Sequence, residues 1–137
     1  MTPPLAVTLA RVKLTVTVIT LNEAAHIEAA LASVAWADEI IVVDSGSTDG
    51  TVEKARPLAT RVEQHAWAGY GAQKNHASEL ASHDWILSID ADERVTPELA
   101  AEIRATLEQP AVGGYRIPRV TYYLGRWIRS TDWYPDL

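Results

Sequence analysis

The sequence of 137 residues predicts an α/β domain, a mainly parallel sheet with helices on both faces. Three observations carry that prediction. Segments of strand and helix period alternate from Lys13 to Glu108. The first two strand segments are apolar on both faces, as strands buried in a parallel sheet are. Two acidic motifs, "VVDSGSTDG" and "SIDADE", stand at strand carboxyl ends, the edge where sheets of this class bind ligands.

The elements follow in order. "KLTVTVIT" (13–20) is nearly all β-branched and reads as a central strand. In 22–34 the period changes, with Ile27, Leu31 and Val34 on one helical stripe and Asn22 as the expected N-cap. "EIIVVD" (39–44) is a second strand, and "SGSTDG" (45–50) a turn in which Gly46 lets the chain reverse. A helix should run from Thr51 to Leu58, capped by Ser47 or Thr48 and shortened by Pro57. A short strand is expected at 61–65, a helix at 71–81 and a fourth strand at 84–90. Thr96 and Pro97 open a further helix with Leu99, Ile103 and Leu107 on one face. After Gly113 and Gly114, "YRIPRV" (115–120) reads as a strand outside the alternating pattern.

Composition narrows the function. A net charge of -6 argues against a general nucleic-acid binder. The absence of cysteine excludes disulfides and thiolate metal sites and is compatible with the cytoplasm. The apolar runs are far shorter than the roughly 20 residues of a spanning helix. Residues 1–12 lack a basic region before their apolar run and read as a leader into the first strand rather than a signal peptide. His26, His65, His76 and His83 show no metal-ligand spacing. Residues 109–131 hold Arg116, Arg119, Arg126 and Arg129 and no acid, which suggests a patch for an anionic ligand.

In an extended segment Asp90 and Asp92 would point the same way, with Cα atoms roughly 6–7 Å apart. Such a pair repels itself unless something positive lies between. Mg²⁺ or Mn²⁺ would meet that need, since Mg²⁺ is often held by one or two carboxylates plus the phosphates of a substrate. Glu93 would then stand behind the metal ligands. Trp67 and Tyr70 flank Gly69 and could line a sugar pocket; Trp127, Trp133 and Tyr134 could form an aromatic platform.

The stretches "ITLNEAAHIEAALASVAWADEIIVVDSGSTDGTVEKA", "WAGYGAQKNHA" and "DWILSIDADERVTPEL" together resemble family-two glycosyltransferases of the GT-A fold. Within them the sequence is similar to the subgroup of lipopolysaccharide-core glucosyltransferases, and "YRIPRVTYYLGRWIRSTDWYPD" looks like that subgroup's continuation. The resemblance implies a nucleotide-sugar-binding core at 13–110 and the start of an acceptor-side region at 111–137, incomplete relative to the family. It implies that Thr20, Asn22 and Glu23 form the first nucleotide loop, that Asp44 contacts the base, usually uracil, through its imide N–H, and that Ser45 and Asp49 belong to the same loop. Asp90 and Asp92 match the D-x-D that holds the metal with the ribose and diphosphate. Lys74 and Asn75 lie where polar contacts to the nucleotide are often found, and a lysine near a helix start suits phosphate.

The implied reaction is inverting transfer from a nucleotide diphosphate sugar, usually a UDP-sugar, to the hydroxyl of a saccharide or lipid-linked saccharide. Asp132 and Asp136 are the candidate bases, because they follow the motif. The implied setting is lipopolysaccharide or cell-surface glycan synthesis in the cytoplasm, with peripheral contact at the inner face of the plasma membrane; a chain this short could work as an oligomer. Two other readings compete. One is a truncated module that binds nucleotide without turnover. The other is a haloacid-dehalogenase-type phosphatase, which also places D-x-D after a strand. It commonly has Thr or Val two places further on, where this chain has Arg94, and it leaves Asp44 unexplained.

Overall fold

The structure, a computed structural model, describes residues 11–123 and 126–128. Its first sheet holds β1 (Leu14–Thr20), β2 (Glu39–Asp44), β3 (Arg61–Gln64) and β4 (Trp85–Asp90) in the order β3-β2-β1-β4, all pairs parallel. Between them run α1 (Ile27–Ala32), α2 (Thr51–Ala55) and α3 (Tyr70–Glu79), and α4 (Pro97–Glu108) follows β4. The most β-branched strand, β1, takes the centre with β2, where both faces are covered. Alternating side chains then supply two cores. On one face Val16, Val18, Ile40, Val42 and Ile89 pack against Ile27, Leu31 and Val34 and against Leu107 of α4. On the other, Ile41 and Val43 pack against Ala77 of α3. Complete burial of a side chain such as Leu31 or Ile41 contributes about 1.5–3 kcal/mol. Register levels the strand ends, with Thr20 opposite Asp44 and Ile19 opposite Asp90.

Four expectations change. Asn22 does not cap α1: it adopts a left-handed φ of 52°, and the helix starts four residues later, with His26 at its N-cap. The intervening residues are spent on loop contacts described below. Neither Ser47 nor Thr48 caps α2; Gly50 stands there at φ 93°, and the helix ends at Ala55, before Pro57. Residues 115–118 are irregular, as Pro118 has no N–H to give a ladder. The antiparallel hairpin instead pairs β5 (Thr121–Tyr123) with β6 (Arg126–Ile128). The expected cap at Thr96 is present, its hydroxyl accepting from Leu99 N–H at 3.2 Å, with Pro97 in the first turn. Among the described residues no helix is long and apolar enough to cross a membrane.

Candidate functional site

A cleft of about 610 Å³ opens at the carboxyl ends of β1 and β4, lined by Thr20, Glu23, Ser45, Trp67, Tyr70, Asp90 and Asp92 among others. Its volume lies within the range of small-ligand sites. A second, smaller groove of about 380 Å³ lies along β4 and α4, lined by residues such as Trp85, Leu99 and Ile103, away from the acidic motifs. The larger cleft is the candidate site because it gathers polar groups that the fold leaves available.

Thr20 Oγ1 is such a group. It is buried, belongs to a residue that lines the cleft, and has no hydrogen-bond partner among the described residues. A buried hydroxyl left without a partner carries a desolvation penalty that a ligand can remove. Ser45 lies beside it. Its N–H donates to the Thr20 carbonyl at 3.0 Å, extending the β1–β2 ladder, and its Oγ accepts from Gln73 Nε2 at 3.1 Å. Gln73 is a residue that sequence reasoning missed. It is wholly buried on α3, donates also to the His65 carbonyl, and its Oε1 meets His65 Nδ1 at 2.9 Å. Its sequence signal is the four-residue spacing to Ala77, which puts both on the inner face of α3. Trp67 and Tyr70 form an edge-to-face pair with centroids 4.8 Å apart, both exposed at the cleft mouth.

Asn22, Asp44 and Asp49 have another use. Asp44 is fully buried, and its carboxylate accepts from Gly46 N–H at 2.9 Å, Ser47 N–H at 2.8 Å and the Ser47 hydroxyl. Gly46 takes a φ of 109°, a backbone that other residues rarely adopt, and so lets the loop fold back over Asp44. Ser47 Oγ accepts from Asn22 N–H at 2.8 Å, and Asn22 Oδ1 accepts from Thr48 N–H at 2.9 Å. Asp49 accepts from Ala24 N–H at 3.0 Å and from the Thr51 hydroxyl, while Thr51 Oγ1 accepts from Glu23 N–H at 2.9 Å. The Thr51 hydroxyl bond above all, with the Ala24 and Thr51 N–H groups, holds the Asp49 carboxyl below the usual carboxylate range. Asn22 and Asp49 thus fasten the loops after β1 and β2 to each other, and Asp44 holds Ser47 in place for its bond to Asn22. None of the three is among the groups lining the cleft.

The end of β4 differs from the extended geometry expected. The strand stops at Asp90, whose carbonyl accepts from Glu93 N–H at 3.0 Å in a turn. Asp90 and Asp92 still line the same cleft. The protein's own cations lie beside Asp90 and Glu93. Lys74 Nζ lies 3.0 Å from Asp90 Oδ1, Arg119 Nη1 4.0 Å from Asp90 Oδ2, and Arg119 Nε 3.2 Å from Glu93 Oε1. Glu93 Oε2 also accepts from Asp90 N–H at 2.7 Å. Arg119, from the arginine-rich segment, therefore pairs with the acidic rim in this structure. Lys74 stands in the second turn of α3, and Asn75 beside it is exposed and outside the cleft lining. Among the described residues no three His, Cys, Asp or Glu side chains converge as a metal cage. Asp90 and Asp92 would fit a divalent cation only as two carboxylates whose remaining ligands come from a phosphate or water. Asp132, Asp136, Arg129, Trp133 and Tyr134 lie outside the described residues, as do the side chains of Arg126 and Trp127.

Comparison with known proteins gives a consistent picture. Residues 15–135 match the family model for glycosyl transferase family 2. A Rickettsia bellii protein named an uncharacterized glycosyltransferase is 51% identical over 92 residues, covering 66% of this chain and 31% of its own. The lipopolysaccharide core biosynthesis glycosyltransferase LpsC of Rhizobium meliloti is 36% identical over 118 residues, covering 79% and 42%. Among solved structures, S. aureus TarS 1-349 in complex with UDP superposes with a TM-score of 0.61 at 28% identity, over 78% of this chain and 38% of that one. Glucosyl-3-phosphoglycerate synthase from Mycobacterium tuberculosis, in complex with Mn²⁺, UDP and glucosyl-3-phosphoglycerate, gives 0.60 at 26% identity, over 74% and 41%. The chain spans between 31% and 42% of the length of the two curated relatives.

Proposed function

This chain belongs to glycosyl transferase family 2, and from that membership we propose that its cleft holds the nucleotide diphosphate of a sugar donor, a UDP-sugar in the simplest case, for inverting transfer to an acceptor hydroxyl. The observation that carries the reading is the unpartnered Thr20 hydroxyl in the same cleft as Asp90 and Asp92. Thr20 and Ser45 would give hydrogen bonds to base or ribose. The Trp67–Tyr70 pair offers aromatic faces to the base or the sugar. Asp90 would accept from ribose, and with Asp92 hold Mg²⁺ or Mn²⁺. When bound, that ion neutralises charge on the departing diphosphate. Lys74 would meet the phosphates, with Glu23 and Asn75 as further polar contacts at the edge. Asp44 and Asp49 shape the wall behind the nucleotide. A direct imide contact from Asp44 would require the 45–48 loop to open.

The base that takes the acceptor's proton is proposed at Asp132 or Asp136. A saccharide or lipid-linked saccharide acceptor at the cytoplasmic membrane face, in lipopolysaccharide synthesis, is supported by the likeness to LpsC. The family assignment removes the phosphatase reading, while a nucleotide-binding module without turnover remains the competing proposal. Calorimetry with UDP and CDP, with Mn²⁺ and with chelator, tests the site, and a glycosyl product from UDP-sugars tests turnover. UDP should bind more tightly with Mn²⁺ than without, and more tightly than CDP where the 45–48 loop opens and lets Asp44 accept the imide N–H. Equal affinities in all four conditions would remove the donor assignment.

A further inference from the structure

Both carboxylate oxygens of Asp90 face a cation that belongs to the protein. Oδ1 lies 3.0 Å from Lys74 Nζ, and Oδ2 lies 4.0 Å from Arg119 Nη1. Glu93 completes the set, holding Arg119 Nε at 3.2 Å and taking the Asp90 N–H at 2.7 Å. All four side chains are between a quarter and a half exposed, so each can exchange partners without unfolding the core.

Charge counting gives this arrangement a consequence. Asp90, Asp92 and Glu93 carry three negative charges against the two positive charges of Lys74 and Arg119. A bare divalent cation would bring four positive charges against three negative, with two of them already beside Asp90. The same cation arriving with a diphosphate brings its own negative charge, and phosphate oxygens are good partners for both the ammonium and the guanidinium fork. The exchange costs little, because partly exposed ion pairs are weak.

We propose that Lys74 and Arg119 are resident counterions that keep a divalent metal off Asp90 until a nucleoside diphosphate arrives and draws them to its phosphates. The inference rests on the donor reading above and adds to it an order of events. Metal and nucleotide enter together, and neither occupies the site well alone. Arg119 exchanges Asp90 and Glu93 for phosphate when the donor binds. Its move couples the segment beyond α4 to donor occupancy.

The test is calorimetry of Mn²⁺ alone, UDP in chelator, and UDP with Mn²⁺, on the full chain and on Lys74→Met, Arg119→Met and Lys74→Arg, with circular dichroism confirming that each is folded. Both methionine variants should bind Mn²⁺ alone at least about fivefold more tightly than the parent. They should bind UDP in chelator more weakly. Lys74→Arg should keep the parent's Mn²⁺ affinity. Unchanged or weaker Mn²⁺ binding in both methionine variants, with UDP–Mn²⁺ binding intact in the parent, overturns the counterion role and leaves the donor site standing. A parent chain that does not bind UDP with Mn²⁺ overturns both.

Discussion

Two regions meet at the cleft and are held in different ways. The loops after β1 and β2 are fastened by side-chain oxygens that accept backbone N–H groups, as in Asn22 to Thr48 and Asp49 to Ala24. The rim after β4 relies on ion pairs between exposed side chains, Lys74 with Asp90 and Arg119 with Glu93. Backbone donors cannot leave without the chain moving. Side-chain cations can swing to a new partner at small cost. One wall of the site is a fixed frame, and the opposite rim is exchangeable.

The sharpest way to break that contrast is at Asp44. Asp44→Ala strips acceptors from two backbone N–H groups and from Ser47 in a buried position, and should lower the unfolding free energy by about 2–4 kcal/mol. Urea titration measures it; a loss below about 0.5 kcal/mol would mean the frame is no firmer than the rim.

Acid should loosen the frame next, and with it the amino end of β2. Asp49 is held low by the Thr51 hydroxyl and backbone N–H groups. For Glu39 burial alone would push the carboxyl up, but the Ser82 N–H and hydroxyl and the Thr15 hydroxyl bring it below its usual range. Folded values below unfolded ones mean that the unfolded chain binds more protons between them. The stabilisation is therefore complete above the unfolded values, about 4 to 4.5, and is lost as pH falls through the folded ones. Thermal melts should show Tm falling below about pH 4, and Asp49→Asn should flatten part of that fall.

The smallest effect belongs to the rim. Asp92→Ala changes an exposed turn residue and should alter stability by no more than about 0.5 kcal/mol. The same variant should lose the Mn²⁺ dependence of UDP binding. A large stability loss with the Mn²⁺ dependence intact would reverse the assignment of roles.

The contrast also explains what could be read in advance. The alternation of strands and helices, the Ile27–Leu31–Val34 stripe and the Thr96 cap are local patterns, each complete within a few residues, and the structure contains them. Asp90 and Asp92 could be placed in one cleft because a parallel sheet puts strand ends on one edge. What was not legible depends on partners distant in sequence. Nothing near Asn22 says that Thr48 N–H will reach its side chain, so it read as a helix cap. Gln73 and Arg119 escaped for the same reason: their partners, Ser45 and Glu93, become neighbours only once the strand order is known. The turn at Asp90–Glu93 replaced an extended pair because Glu93 folds back on the Asp90 N–H.

The strand order also sets a timetable. β1 is central, yet its two partners emerge far apart, β2 ending at Asp44 and β4 at Asp90. At roughly 5–20 residues per second, synthesis of the intervening stretch takes about 2–9 s. For that interval one side of β1 has a pairing partner and the other has none. Its unpaired backbone then offers a template to any passing strand until β4 arrives. The part of the chain that becomes best protected in the finished domain is, during its making, the part that waits longest for cover.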